Sequence, residues 1–278
     1  MENSPGQRPR LSVSIVLHNT PLDQFCATLE SLQRATRDAW AGPVVVAVVE
    51  NAGPGDYREE VAALLARWPG GELFRVVHLP QPENLGFGAG HNSVLATLAS
   101  EYHLVLNPDV ELAPSALKHG LARLRKDRSI ALLSPRVTSE DGGQEFLCKR
   151  YPSVLVLLLR GFAPSFMRRW FDERLADYEM QGACSGKSPG DVENASGCFM
   201  LVSTAALRAV GGFVPAYFLY FEDFDLSLRI REQGRLVFEP AMRIVHHGGH
   251  AARKGPRHIG HFAASGLRLF RQHGWRWI

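Results

Sequence analysis

Short apolar runs alternate with segments whose apolar residues recur every three or four positions, and the alternation is sustained from Leu11 to Leu106. Leu11 to Leu17, Pro43 to Val49, Leu73 to Leu79 and Tyr102 to Leu106 read as buried strands. Between the first two, Leu22, Phe25, Leu29 and Leu32 keep helical spacing, and Val61, Leu64, Leu65 and Trp68 do so after the second. The Gly-rich stretch Asn84 to Asn92 opens a third helix expected to run through Leu98. Strands alternating with amphipathic helices predict a parallel sheet covered on both faces.

Beyond Leu106 the pattern changes. Pro114 to Lys126 predicts a helix, Leu132 to Val137 a strand and Asp141-Gly142-Gly143 a turn. From Phe146 to Pro189 no period is visible, and an irregular insertion is expected there, with basic and apolar residues interspersed. Regular elements resume with a strand at Ser196 to Val202 and a helix at Thr204 to Val210 that stops at Gly211-Gly212. A helix at Asp223 to Gln233 and two short strands, Leu236 to Pro240 and Arg243 to His246, follow.

A chain of 278 residues, 45% hydrophobic, can bury one large core and fits a single domain with two functional halves. The net charge of +3 gives no reason to expect a nucleic-acid partner. Charge is nevertheless uneven, because Arg253 to Arg276 contains six Lys or Arg and no acid. Phe262, Phe270, Trp275 and Trp277 lie in the same segment, a combination suited to an anionic membrane surface or, equally, to a solvated basic helix. Four cysteines without metal-ligand spacing predict a reducing compartment. Met1 to Arg10 is polar, so no secretory leader is expected, and no apolar run is long enough to span a bilayer.

Candidate chemistry gathers at strand ends. The run Leu104-Val105-Leu106-Asn107-Pro108-Asp109 stops at a carboxylate, where open α/β sheets place ligand-binding groups. Asn107 and Asp109 on a rigid turn are suited to hold a divalent cation against a diphosphate, although Asn-Pro-Asp is also ordinary turn chemistry. Glu50, ending the second strand, is placed to accept bonds from a ribose or base. In Asn84-Leu85-Gly86-Phe87-Gly88-Ala89-Gly90-His91-Asn92, three glycines let backbone approach a phosphate or base. The stretch lacks the GxGxxG spacing and follows the third strand, which argues against a dinucleotide cofactor. Glu222, Asp223 and Asp225 open a helix among aromatic residues; they are helix-capping acids or, with a raised pKa, a general base. On the helix, Asp223 and Ser227 share a face expected to look into a cleft, with Phe224 and Leu228 toward the core. His246, His247 and His250 follow a short strand, and alternation keeps His246 and His247 from reaching one site.

In this order the residues resemble the family 2 glycosyltransferases of the GT-A fold, in particular the bacterial rhamnosyltransferase-like branch. The matching stretches are SIVLHN (14–19), VENAG (49–53), ENLGFGAGHN (83–92), LNPDV (106–110), SGCFMLV (196–202), VGGF (210–213), FLYFEDFDLSLR (218–229) and VHHGGH (245–250). The resemblance implies one GT-A domain, a Rossmann-like, mixed but mostly parallel sheet flanked by helices. Residues 11–130 would form the nucleotide-sugar half, 131–250 the acceptor and catalytic half, and 251–278 a basic aromatic tail. It further implies an inverting hexosyl transfer from a nucleotide-diphosphate sugar, with dTDP-rhamnose the expected donor. The expected acceptor is a polyprenyl-diphosphate-linked glycan of a cell-surface polysaccharide such as lipopolysaccharide, reached by a cytoplasmic protein peripheral to the inner face of the membrane. By this resemblance Asn19, Glu50, Asn84, Gly86, Phe87, Gly90, Asn92, Asn107 and Asp109 bind the donor, Asp109 and His246 hold Mg²⁺ or Mn²⁺, Asp223 is the base and Glu222 orients it. Three departures stand out: Glu50 where the family carries Asp, Asn107 where it carries the first acid of its metal motif, and Val214-Pro215 where it has an acidic pair. A sugar nucleotidyltransferase and a non-catalytic nucleotide-sugar-binding module are the alternatives. The first would carry a Gly-rich, basic first loop, which His18-Asn19-Thr20-Pro21 is not.

Overall fold

The computed structural model describes residues 11–39, 43–248 and 256–278. Ten strands, β1 (Leu11–Leu17), β2 (Val44–Glu50), β3 (Phe74–Pro80), β4 (Tyr102–Leu106), β5 (Val110–Leu112), β6 (Ile130–Thr138), β7 (Gln144–Glu145), β8 (Gly190–Asp191), β9 (Phe199–Ser203) and β10 (Arg235–His246), form one sheet. Its order is β3-β2-β1-β4-β9-β6-β10-β5, with β7 paired to β6 and β8 to β10. The first four strands are mutually parallel, as their periodicity predicts. Antiparallel β9 joins β4 to β6, so the chain changes direction where the second half begins.

Both faces of the sheet are covered, which is why its strands read as unbroken apolar runs. In β2, Val44, Val46 and Val48 pack toward α1 (Leu22–Ala39), α2 (Tyr57–Ala66) and α4 (Ala116–Lys126), while Ala47 and Val49 enter the opposite core. That second core is closed by α3 (Phe87–Asn92), α9 (Thr204–Ala209) and α10 (Glu222–Ile230). The C-terminal α11 (Pro256–His273) docks on α10, burying Leu269 against Tyr217 and Phe221.

Several expected elements differ in detail. The third helix ends at Asn92 and gives way to a 3₁₀ turn at Leu95–Thr97. Asn92 is diverted into bonds with the Phe213 backbone, and the chain turns after it. The irregular insertion is four short helices, α5 (Val154–Phe162), α6 (Ser165–Arg169), α7 (Asp172–Tyr178) and α8 (Gln181–Cys184). Each is too short to display a period by itself. The two short strands after Gly234 are one strand, β10, carrying a bulge between Glu239 and Arg243. Glu239 holds that bulge, accepting from Ala241 N at 3.2 Å and from Arg123 Nε at 2.7 Å. His250, Arg253 and Lys254 lie outside the described residues.

A polar thread crosses the core between β1 and β4. Ser12 and Ser14 bond the two ring nitrogens of His103 at 2.8 and 2.9 Å, and Ser14 also bonds His91 Nδ1 at 2.7 Å. Burial lowers both histidines to about 3, with the neighbouring His103 adding to the effect on His91. Both are therefore neutral when folded but take protons below about 6.5 when unfolded. Stability should be intact above pH 6.5 and decline as pH falls toward 3, by about 2 kcal/mol per histidine at about pH 5. Urea midpoints across that range test this, and Gln at both positions should flatten the decline.

Candidate active site

The site forms where β1, β2, β4 and β10 end and β9 begins. Asp109 follows β4 on the turn into β5, and α1 fixes that turn. Thr28 Oγ1 donates to Pro108 O at 2.8 Å and accepts from Val110 N at 3.2 Å, while Ser31 Oγ accepts from Leu112 N at 3.1 Å. From the other side His247 N donates to Asp109 O at 2.9 Å. The carboxylate is held out between these supports. Its Oδ1 is buried with no hydrogen-bond partner, and His246 Nε2 lies 3.8 Å away. A side chain at Gly248 would collide with Asp109 Oδ2.

His246 Nδ1 bonds Glu145 Oε2 at 3.2 Å, which directs the Nε2 lone pair toward Asp109. His247 turns the opposite way, to Glu140 and Glu111 at 2.6 and 2.8 Å, as strand alternation predicts. An orphaned carboxylate oxygen, an oriented imidazole and a glycine cradle fit a divalent cation. No cluster of three His, Cys, Asp or Glu suited to a metal occurs among the described residues. A cation here would thus need oxygens from a ligand and water to complete its shell.

The acidic helix meets this site through the segment Ser196-Gly197-Cys198. Asp223 accepts from Gly197 N at 3.2 Å and from Phe224 N at 2.9 Å, and Cys198 O accepts from Asn107 N at 2.9 Å. Burial, then the charges of Asp109, Asp223 and Glu145, push the Cys198 thiol up to about 12 against a bond to Ser196. The two carboxylates read from the sequence therefore flank one residue. Asp223 itself is half-buried, so part of its side chain stays accessible. Ser227, on its face of α10, is fully buried and bonds Ala195 N at 3.1 Å, so this face lies against the strand entry.

Burial pushes Glu222 and Asp223 upward. Glu222, with the Asp223 charge adding to burial, reaches about 8, and its Oε2 has no partner. For Asp223 the Gly197 and Phe224 N–H groups offset part of the rise by stabilising the anion. The N–H bonds go to Asp223 alone, so of the two acids Asp223 is the one whose anion is stabilised, as a general base requires. Tyr220 and Phe221, just before them, have φ of 71° and 63°, a left-handed backbone costly for aromatic residues and kept where the fold enforces it.

On the other wall, Gly86 (φ 83°) has no room for a side chain against Phe218 O, and Phe87 N donates to that oxygen at 3.2 Å. A Cβ at Gly197 would approach the Phe87 ring to 2.9 Å, and one at Gly90 would come 3.0 Å from Val16. Asn84 accepts from Gly86 N at 2.9 Å and meets His18 Nε2 at 3.1 Å, while Asn51 donates to Gly86 O at 2.8 Å. Exposed Asn19, in the left-handed region at φ 58°, borders the same strand ends. Glu50 is fully buried, with its oxygens engaged by Gly53 N and Arg58 Nε, each at 2.6 Å. Asn92 likewise commits its amide to the Phe213 backbone, at 2.7 and 2.9 Å. These two predicted residues shape loops from within the protein. Thr28, Ser31, His18, Asn51 and Glu145 are supports that the sequence reading missed; their partners are about 30 to 100 residues away in sequence, and no local motif marks such contacts.

Comparison with known proteins identifies the family and the fold. Residues 12–203 match the model of glycosyl transferase family 2. An N-acetylglucosaminyl-diphospho-decaprenol L-rhamnosyltransferase of Mycobacterium tuberculosis is 28% identical, over 87% of this chain and 76% of its own. The rhamnosyltransferase WbbL of Escherichia coli is 27% identical over 59% of this chain and 62% of its own. Among solved structures, GalNAc-T7 with UDP, GalNAc and Mn²⁺ superposes with a TM-score of 0.66 at 16% identity, over 96% of this chain and 48% of that one. A mannosyltransferase of Pyrobaculum calidifontis with GDP-Man and Mn²⁺ gives 0.59 at 17% identity, over 95% of this chain and 66% of that one. These two share the fold; this chain spans about half of the first and two thirds of the second.

Proposed function

The chain belongs to glycosyl transferase family 2, and from that premise we propose an inverting, metal-dependent enzyme that moves rhamnose from dTDP-rhamnose to a hydroxyl of a polyprenyl-diphosphate-linked glycan. The observation that carries this reading is the meeting of two carboxylates at the segment Gly197-Cys198, Asp109 with an orphaned oxygen on the turn that bonds Cys198, and Asp223 accepting from Gly197 N. The rhamnosyl group is supported by the names of both similar enzymes, and the lipid-linked acceptor by that of the first.

In this mechanism Asp223 removes the proton from the acceptor hydroxyl as its oxygen attacks the anomeric carbon. The bond to the diphosphate breaks on the opposite face, and the configuration inverts. Asp109 and His246 would hold Mg²⁺ or Mn²⁺, which supplies charge neutralisation at the departing diphosphate. Asn84, Gly86, Phe87 and Gly90 line the donor side with Asn19 and Asn107, while Glu50 and Asn92 keep its loops in place. Protonated Glu222 donates toward the acceptor or Asp223, limiting repulsion between the two acids.

A position at the cytoplasmic face of a membrane is part of the proposal. No described helix is long and apolar enough to cross a bilayer. Exposed Leu158, Phe166 and Trp170 lie beside Arg168 and Arg169 on α5 and α6, and the C-terminal Arg276 and Trp277 carbonyls accept from Val154 N and Leu155 N at the start of α5. The apolar insertion and the aromatic tail thus form one neighbourhood, suited to a lipid interface. At about 100 times its Kd, dTDP-rhamnose with Mn²⁺ should raise the Tm by roughly 5 °C or more, and chelator should remove most of that gain. Equal shifts with every nucleotide sugar would overturn the donor assignment. Failure to co-sediment with anionic vesicles would overturn the membrane placement.

A further inference from the structure

The register of β10 on β6 sets Arg243 directly beside Arg136, and Val245 beside Thr138. Paired residues of neighbouring strands point to the same face about 5 Å apart, so two guanidinium groups in register repel unless an anion or acid joins them. Arg136 meets only neutral groups, Gln144 Oε1 at 2.8 Å and the Ser185 and Gly186 carbonyls. Those bonds fix the turn that leads into Lys187. Arg243 and Lys187 are exposed and have no acidic partner among the described residues.

All three cations line one open cavity of about 750 Å³ on the face of the sheet away from α4. Glu111 is the one acid of its lining, and His247 engages that carboxylate at 2.8 Å. Thr138 and the β10 bulge at Pro240 and Ala241 complete the wall. Neither Asp109 nor His246 is among the residues that line the cavity. Its volume exceeds what a single small ion needs and matches a phosphorylated headgroup.

We propose that the cavity walled by Arg136, Lys187 and Arg243 binds a phosphate or diphosphate ester, at a site separate from the donor's diphosphate. Two sources supply that chemistry next to the proposed reaction: the diphosphate of the lipid-linked acceptor and the phosphate of an anionic membrane lipid. The first rests on the function proposed above; the binding itself does not.

Calorimetry of the whole chain with inorganic pyrophosphate in excess chelator tests the binding without turnover. Wild type and Asp109→Ala should bind alike, whereas Lys187→Ser/Arg243→Ser should raise the Kd by about tenfold or more. Both changed side chains are exposed, and an unchanged Tm will show that the double variant is folded. Absence of pyrophosphate binding to wild type, or equal binding by the double variant, overturns the site. A rise in acceptor KM at constant donor KM identifies the acceptor diphosphate as its occupant. Reduced co-sedimentation with phosphatidylglycerol vesicles at constant acceptor KM identifies a lipid headgroup. Absence of glycosyl transfer by wild type with pyrophosphate binding intact would instead count against the proposed function alone.

Discussion

Asp223→Asn is expected to lower turnover by about 10²- to 10⁴-fold while donor affinity stays within about twofold of wild type. The amide is nearly isosteric, although Gly197 N and Phe224 N donate to different oxygens, Oδ2 and Oδ1, so Asn keeps one of the two bonds. What disappears is the acceptor for the hydroxyl proton. Glu222→Gln provides the contrast: burial already keeps Glu222 protonated up to about pH 8, so a neutral amide there should cost much less. The rate of wild type should rise with pH through the raised pKa of Asp223, since the base works only when ionised. Rapid-quench turnover and donor calorimetry on the two variants separate the roles. Little loss in Asp223→Asn together with inactivation of Glu222→Gln would reverse the assignment.

The second large effect belongs to Asp109→Ala. With only His246 left, the donor Kd in Mn²⁺ should rise by about 100-fold or more, to the value wild type shows in chelator. Removing an outer partner such as Glu145 commonly costs about 10- to 100-fold, and loss of a ligand itself costs at least as much. Donor calorimetry with and without chelator reads this directly. Affinity that is independent of metal in wild type would remove the cation from the mechanism. The substitution should leave the fold intact, because Asp109 Oδ1 makes no hydrogen bond and the turn is held through the backbone by Thr28, Ser31 and His247.

Most reactive groups could be found from the chain alone because each sits where a period breaks. Asp109 ends a buried run, Glu222 and Asp223 open an amphipathic helix, and His246 closes a strand. A break in period is a local signal and survives without coordinates. The direction of each side chain is another matter. Asp223 and Ser227 were expected to share a face looking into a cleft; Asp223 is half-buried, but Ser227 is buried against the approach to β9, a contact between segments about 30 residues apart. Glu50 and Asn92 have the right chemistry for a ligand, yet Arg58, Gly53 and the Phe213 backbone take up their polar atoms.

The sequence by itself determined the parallel first half, the strand-end position of Asp109, the acidic helix and the separation of His246 from His247. All follow from periods of about two and 3.6 residues and from residue type, which act over a few positions. Only the tertiary structure decided that Asp223 and the turn carrying Asp109, 114 residues apart in the numbering, bond to the same short segment, Gly197-Cys198. It also decided that Thr28 and Ser31 hold the metal-side turn, and that Arg136 and Arg243 stand in register. Sheet order and register set those meetings, and they depend on how distant segments bury their surfaces together, which no local pattern encodes.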